Sequence, residues 1–207
     1  MERIERDMKK FLLSIAAAAM FLAPARADEG MWLLPLLEKM NSDVITRLGC
    51  RLSVDEIYSV NHSSIKDAVV QFGGGCTGEI ISDQGLLVTN HHCGYGSIRA
   101  LSTPEHNYLE DGYFAKDKSG ELPVPGLTVR FLQSMTDVTD EVGKLEKKGD
   151  PEYVREGLKA IAKRFEDANP GCTVQITSFY NSNVYYAIVS KIYRDVRFVG
   201  APPASSG

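Results

Sequence analysis

His91, His92 and Cys93 stand side by side at the end of an apolar run, in LLVTNHHCGYG (residues 86–96). Two imidazoles and a thiol can bind a metal, move a proton or simply pack. As zinc ligands they offer suitable donor atoms, but structural zinc usually takes four ligands at recognisable spacing. His62 and His106 stand alone, and no Cys-x-x-Cys occurs. Adjacent residues of an extended strand also point to opposite faces, so a shared metal is disfavoured and no cofactor is expected. As structural residues, the histidines would be satisfied polar groups on a strand end. As a catalyst, one of them would be a general base. A serine hydroxyl becomes a good nucleophile when a neighbouring imidazole takes its proton, and a carboxylate holds that imidazole in one tautomer.

The elements that would position such a base begin with a leader. Lys9 and Lys10, the apolar run Phe11 to Leu22, and Ala25-Arg26-Ala27 form the three-part pattern of a secretory signal peptide. Residues 1–27 therefore read as a signal peptide cleaved after Ala27, with Met8 as an alternative start. The apolar run is shorter than the roughly 20 residues that span a bilayer, so no membrane anchor is expected. Export, to periplasm or exterior, would carry Cys50, Cys76, Cys93 and Cys172 into an oxidising compartment, where thiols tend to pair. Four cysteines allow three connectivities.

Register favours one of them. CTGEII (76–81) and LLVTN (86–90) flank the polar turn Ser82-Asp83-Gln84-Gly85 and read as a β-hairpin. Directly opposed residues should then have numbers summing to about 167. Cys76 and Cys93 fall one step out of this register, at the open end of the hairpin. A bulge or bend after Asn90 would bring them within disulfide range. Cys50 and Cys172 either pair or stay free. On this picture the histidines sit on a rigid strand end, clamped by a disulfide through the next residue.

With 207 residues, 43% of them hydrophobic, the chain can build one sizeable core. Its net charge of −4 and lack of dense Lys/Arg runs argue against a nucleic-acid partner. Met31 to Leu48 has near-helical apolar spacing interrupted by Pro35, and Ser53-Val54-Asp55-Glu56 reads as a helix start with a capping box. DAVVQF (67–72) and LTVRFLQSM (127–135) read as strands. Residues 139–168 form a charged helical segment that Gly149-Asp150-Pro151 splits in two, with Asp150 as N-cap. Strands are expected from Cys172 and from Val184, around a turn at Asn181-Ser182-Asn183.

Beyond these patterns, GCTGEIISDQGLLVTNHHC (75–93) resembles the first-barrel hairpin of chymotrypsin-like serine proteases, where Thr-x-x-His-Cys places the catalytic histidine directly before a disulfide cysteine. Aligned so, the base is His92. The match is closer to one group. DEGMW (28–32), the run from Ile57 to Arg99, DGYFA (111–115), SFYNSNVYY (178–186) and DVRFVGAPP (195–203) resemble the bacterial secreted dipeptidyl peptidases of the dipeptidyl-peptidase 7 and 11 family. The similarity runs from Asp28 to about Pro203.

This resemblance implies a mostly β fold with helical insertions: residues 28–207 would be the first, incomplete part of a chymotrypsin-like double β-barrel, decorated by the helices near 139–168. It further implies a Ser–His–Asp triad that releases dipeptides from the N-termini of oligopeptides, usually in homodimers. Members of that family are several times longer, with the triad carboxylate soon after the segment matching FVGAPP and the nucleophile near the far C-terminus. The chain is therefore expected to lack both and to be inactive alone. Asp195, between Arg194 and Arg197, reads as a solvated acid, and Ser97 is too close along the chain to serve His92. Two rival readings are a complete non-catalytic secreted peptide-binding module and a metal-dependent hydrolase using His91 and His92.

Overall fold

The computed structural model describes residues 32–40 and 42–206. The chain divides into two compact units, residues 1–33 and 34–207, and every element below belongs to the second. The expected signal peptide lies outside the described residues.

A 3-10 turn at Leu34–Leu36, α1 (Leu37–Met40) and α2 (Ser42–Arg47) form the helical lead-in. Then α3 (Val54–Ile57) starts on the expected box: Glu56 N–H donates to Ser53 Oγ at 3.3 Å, and Ser53 N–H donates to the Glu56 carboxylate at 2.7 Å. Both donors would otherwise be orphaned at a helix start. Tyr58, just past α3, ties this segment to the sheet by accepting the Met135 N–H at 3.2 Å.

Next come β1 (Val69–Phe72), β2 (Cys76–Ile80) and β3 (Leu87–Thr89), followed by α4 (His91–Leu101), α5 (Tyr108–Asp111), β4 (Tyr113–Phe114), β5 (Leu122–Pro123) and β6 (Val129–Asp137). The chain continues through α6 (Thr139–Glu146), α7 (Pro151–Ala168), β7 (Cys172–Phe179), β8 (Val184–Tyr193), β9 (Arg197–Phe198) and β10 (Gly200–Ala201). The expected split between α6 and α7 is present, with Asp150 capping α7 through Glu152 N–H at 2.9 Å and Pro151 in its first turn.

The large sheet is antiparallel in the order β3-β2-β1-β6-β8-β7, and two small two-stranded ribbons pair β10 with β4 and β5 with β9. The β2–β3 register is Gly78↔Thr89, Glu79↔Val88 and Ile80↔Leu87, as the turn chemistry predicts. Directly opposed residues share a face, as do alternate residues of one strand. Val129↔Tyr193 and Val174↔Val189 therefore put the two apolar clusters on the same face of the sheet. One cluster is Val70, Phe72 and Val129 with Cys76 and Cys93 against it. The other is Val138, Val142, Ile161, Val174, Ala187 and Val189.

Two expectations change here. The architecture is a mixed α/β fold with a large antiparallel sheet rather than mostly β: α7, at 18 residues, is its longest element. The helices near 139–168 also do more than decorate. Val142 is fully buried and Ile161 is 8% exposed, both against β7 and β8. The physical reason is the amphipathic spacing of α7, whose Leu158, Ile161, Ala162 and Phe165 form one apolar stripe that the sheet covers.

Candidate active site

The sequence places His91 and His92 on a strand end, and the structure corrects this. They are the first two residues of α4, with Asn90 as N-cap in extended conformation (φ −69°, ψ 146°). The hairpin register explains the bend. Extended pairing would set residue 91 opposite Cys76 and carry Cys93 past it. Helical backbone rises only about 1.5 Å per residue, so residue 93 stays near the strand end. A disulfide joins Cys76 to Cys93 with Cα atoms 6.0 Å apart, inside the expected range. Cys93 N–H donates to Asn90 O at 3.0 Å, closing the first turn over the bridge.

The two histidines separate by environment. A helix turns about 100° per residue, so consecutive positions face different ways. His91 turns inward: its Nε2 is the one buried side-chain nitrogen or oxygen among the described residues that has no hydrogen-bond partner. Its ring meets Tyr95 edge-on, one turn later, with centroids 6.1 Å apart. His92 is exposed. A His92 ring nitrogen, Cys76 Sγ and Cys93 Sγ all lie within 4.8 Å of one another. That spacing would suit a metal, but the two sulfurs are bonded to each other, and the ligand form of cysteine is the thiolate. The cluster is a braced imidazole rather than a ligand set.

Among the described residues, no carboxylate and no hydroxyl hydrogen-bonds His92. Asp195, the late acid, is committed elsewhere: its two oxygens accept from Arg197 Nε and a terminal guanidinium nitrogen, each at 3.0 Å. That guanidinium holds the Asp195 carboxyl below its usual range. Ser97 lies on α4 itself, five residues past His92. Cys50 and Cys172 are both free thiols.

Sequence reasoning missed a second device, which brings the last described segment toward α4. β10 pairs with β4, so GYF and GAPP meet. A Cβ on Gly112 would stand 2.8 Å from Pro203 Cδ and 2.9 Å from its nitrogen. One on Gly200 would stand 2.8 Å from Tyr113 O and nearer still to Phe114. Only glycine allows these approaches. The 3-10 turn Ala204–Ser206 then packs on α5, and α5 packs on α4. The glycines in DGYFA and FVGAPP were the available signal, but sequence order does not reveal that they face each other.

The family model described as Peptidase S46 matches residues 27–207. Dipeptidyl-peptidase 7 of Capnocytophaga gingivalis is 44% identical over 207 residues, covering 97% of this chain and 29% of that protein. The Asp/Glu-specific dipeptidyl-peptidase of Porphyromonas gingivalis is also 44% identical, over 96% of this chain and 29% of its own length. The crystal structure of Porphyromonas endodontalis DPP11 in complex with substrate superposes with a TM-score of 0.75 at 42% identity, over 86% of this chain and 27% of that one. The chain thus spans under a third of the relatives it matches.

Proposed function

Because the chain belongs to the peptidase S46 family, we propose that it works as the N-terminal part of a serine-type dipeptidyl peptidase, with His92 as general base. The observation that carries this reading is the placement of His92. It is an exposed imidazole on the first turn of a helix, clamped through the next residue to the neighbouring hairpin. The serine and the carboxylate of the triad are supplied by the remainder of the longer protein. Packing of Ala204–Ser206 on α5, and of α5 on α4, supports an acid arriving soon after FVGAPP. The open sheet, with β3 and β7 at its edges, is the first part of a double β-barrel completed by that remainder.

In the reaction, His92 takes the proton of the serine hydroxyl as the serine oxygen bonds to the carbonyl carbon of the substrate's second residue. It then gives that proton to the nitrogen of the third residue as the peptide bond breaks. Water, deprotonated by the same imidazole, releases the dipeptide and restores the serine. The substrates are oligopeptides with a free N-terminus, and the enzyme acts as a homodimer after export. The Cys76–Cys93 bridge supports export, since structural disulfides persist in oxidising compartments.

The test is dipeptide release by the full-length protein from an unblocked hexapeptide and from its N-acetylated form. Release from the first alone is expected, and His92→Ala should abolish it. Activity surviving in His92→Ala, or cleavage of both peptides, would sink the reading.

A further inference from the structure

Cys76, Cys93 and His92 gather three metal-ligating side chains, of which the reaction uses only the imidazole. A His92 ring nitrogen and the two Sγ atoms lie within 4.8 Å of one another. His92 is exposed and both cysteines are half-buried, so the group opens to solvent on the imidazole side. With Zn–S near about 2.3 Å and Zn–N near about 2.0 Å, neighbouring ligand atoms of a tetrahedral zinc site stand about 3.5–3.8 Å apart. The imidazole therefore has to close by little more than about 1 Å, which rotation of an exposed side chain supplies. What bars a metal is the bond between the sulfurs, since cysteine ligates as the thiolate.

The elements that carry these residues do not depend on that bond alone. Cys76 opens β2, which is paired on both sides, through Phe72↔Cys76 to β1 and through Gly78↔Thr89 to β3. Thr89 Oγ1 donates to Thr77 O at 2.6 Å, tying the residue after Cys76 to the strand that leads into α4. On α4, Cys93 N–H donates to Asn90 O at 3.0 Å, and Ile98 is buried to 4% exposure. Breaking the bond thus leaves two thiols facing His92.

We propose that reduction of the Cys76–Cys93 bridge creates a zinc site from Cys76, Cys93 and His92, and that zinc bound there silences the enzyme. The disulfide takes two electrons and two protons from a dithiol, which is itself oxidised to a disulfide, and two thiols result. Zn²⁺ then displaces two protons as two thiolates and the neutral imidazole bind it, with solvent in the fourth position. Soft thiolates beside an imidazole select zinc over magnesium or calcium. A neutral imidazole has one ring nitrogen free to accept a proton. With the metal on that nitrogen, His92 cannot take the serine proton. The silencing rests on His92 being the general base of a dipeptidyl peptidase, whereas the metal site itself does not.

The experiment uses the full-length protein, either oxidised or reduced with dithiothreitol and then freed of reductant without oxygen. Zn²⁺ and Co²⁺ are the probes. On reduction the protein should gain a stoichiometric zinc that survives gel filtration, and with Co²⁺ a thiolate-to-metal charge-transfer absorption. The double variant Cys76→Ser/Cys93→Ser, which keeps the free thiols Cys50 and Cys172, should gain neither. His92→Ala should keep the charge transfer but bind Zn²⁺ at least about tenfold more weakly, since even loss of an outer-shell partner costs that much. Dipeptide release by the reduced protein should fall by orders of magnitude on adding stoichiometric Zn²⁺, as when a triad histidine is lost, and should return with a chelator. The oxidised protein should be unaffected. Zinc binding that is the same before and after reduction, that persists in the double serine variant, or that ignores His92→Ala would overturn the site. Unfolding on reduction, followed by circular dichroism, would do so too, because the ladder and α4 must hold the ligands without the bond. If zinc binds in the expected pattern while dipeptide release continues, the site stands, and the silencing and the base assignment fall together.

Discussion

Cys76 Sγ lies within 4.8 Å of a His92 ring nitrogen and is covalently bound to the residue that follows His92. The strand that carries Cys76 and the helix that carries His92 are therefore one mechanical unit. Replacing both cysteines by serine removes a constraint across a sequence separation of 17 residues, worth about 3 kcal/mol on the chain-entropy estimate. The double variant should unfold at correspondingly lower urea concentration, and turnover should fall even under folding conditions as the first turn of α4 loosens. Alkylation with mass mapping should find Cys76 and Cys93 protected and Cys50 and Cys172 reactive after unfolding without reductant.

The histidine pair should divide cleanly under mutation. His92→Ala should cost several orders of magnitude in kcat, on the scale seen when a triad histidine is removed. His91→Phe keeps a ring against Tyr95 while removing a buried nitrogen that has no partner. It should leave stability unchanged or raise it by about 1 kcal/mol, with little effect on kcat. His91→Ala opens space instead and should destabilise by up to about 3 kcal/mol. Urea unfolding and dipeptide release, measured on the same three variants, check both halves. A large kcat loss in His91→Phe would reverse the assignment.

How much of this could be read from sequence varies with the range of the interaction. The β2–β3 register follows from four turn residues, and the α6–α7 split from Gly149, Asp150 and Pro151. These are local signals with local causes. The helix under the histidines escaped because HHCGYGSIRAL contains two glycines, each costing a helix about 1 kcal/mol, after a run that reads as strand. What holds it is non-local: the bond from Cys93 to Cys76 and burial of Ile98 to 4% exposure. The sheet order, which places β1 beside β6 and β6 beside β8, likewise has no short-range signature. Thr-x-x-His-Cys singled out His92 in the sequence, whereas its setting on a helix had no such signal.

The close approach of β10 to β4 yields a stability prediction. Gly200→Ala drives a methyl into Tyr113 O and the Phe114 ring, and Gly112→Ala drives one into Pro203 at a backbone φ of +71°. Neither neighbour is the far end of a flexible side chain in the Gly112 case, so the backbone must move. Each should destabilise by about 1–3 kcal/mol, the range for overpacking. Limited proteolysis should then find new cleavage near Ala201, which is buried in the parent. Unchanged protection of that segment would mean that β10 does not depend on the glycines.

Acid should weaken the clasp between α6 and α7. Arg164 donates to both oxygens of Glu141, at 2.9 and 3.0 Å, and this hydrogen bonding holds the Glu141 carboxyl below its usual range. A carboxyl with a lowered folded-state pKa binds its proton more readily when unfolded. Its stabilisation is therefore fully present above the unfolded value, about 4.3, and is lost as pH falls through the folded one. The pair is partly exposed, with side-chain accessibilities of 57% and 42%, so salt screens it and its contribution is small. Glu141→Gln should lower the thermal midpoint slightly at pH 7 and low salt. The gap to wild type should narrow with added salt and close as pH falls through the lowered folded-state value, beyond which both chains carry a neutral group at this position. A gap that persists at low pH would show that Glu141 acts through packing rather than charge.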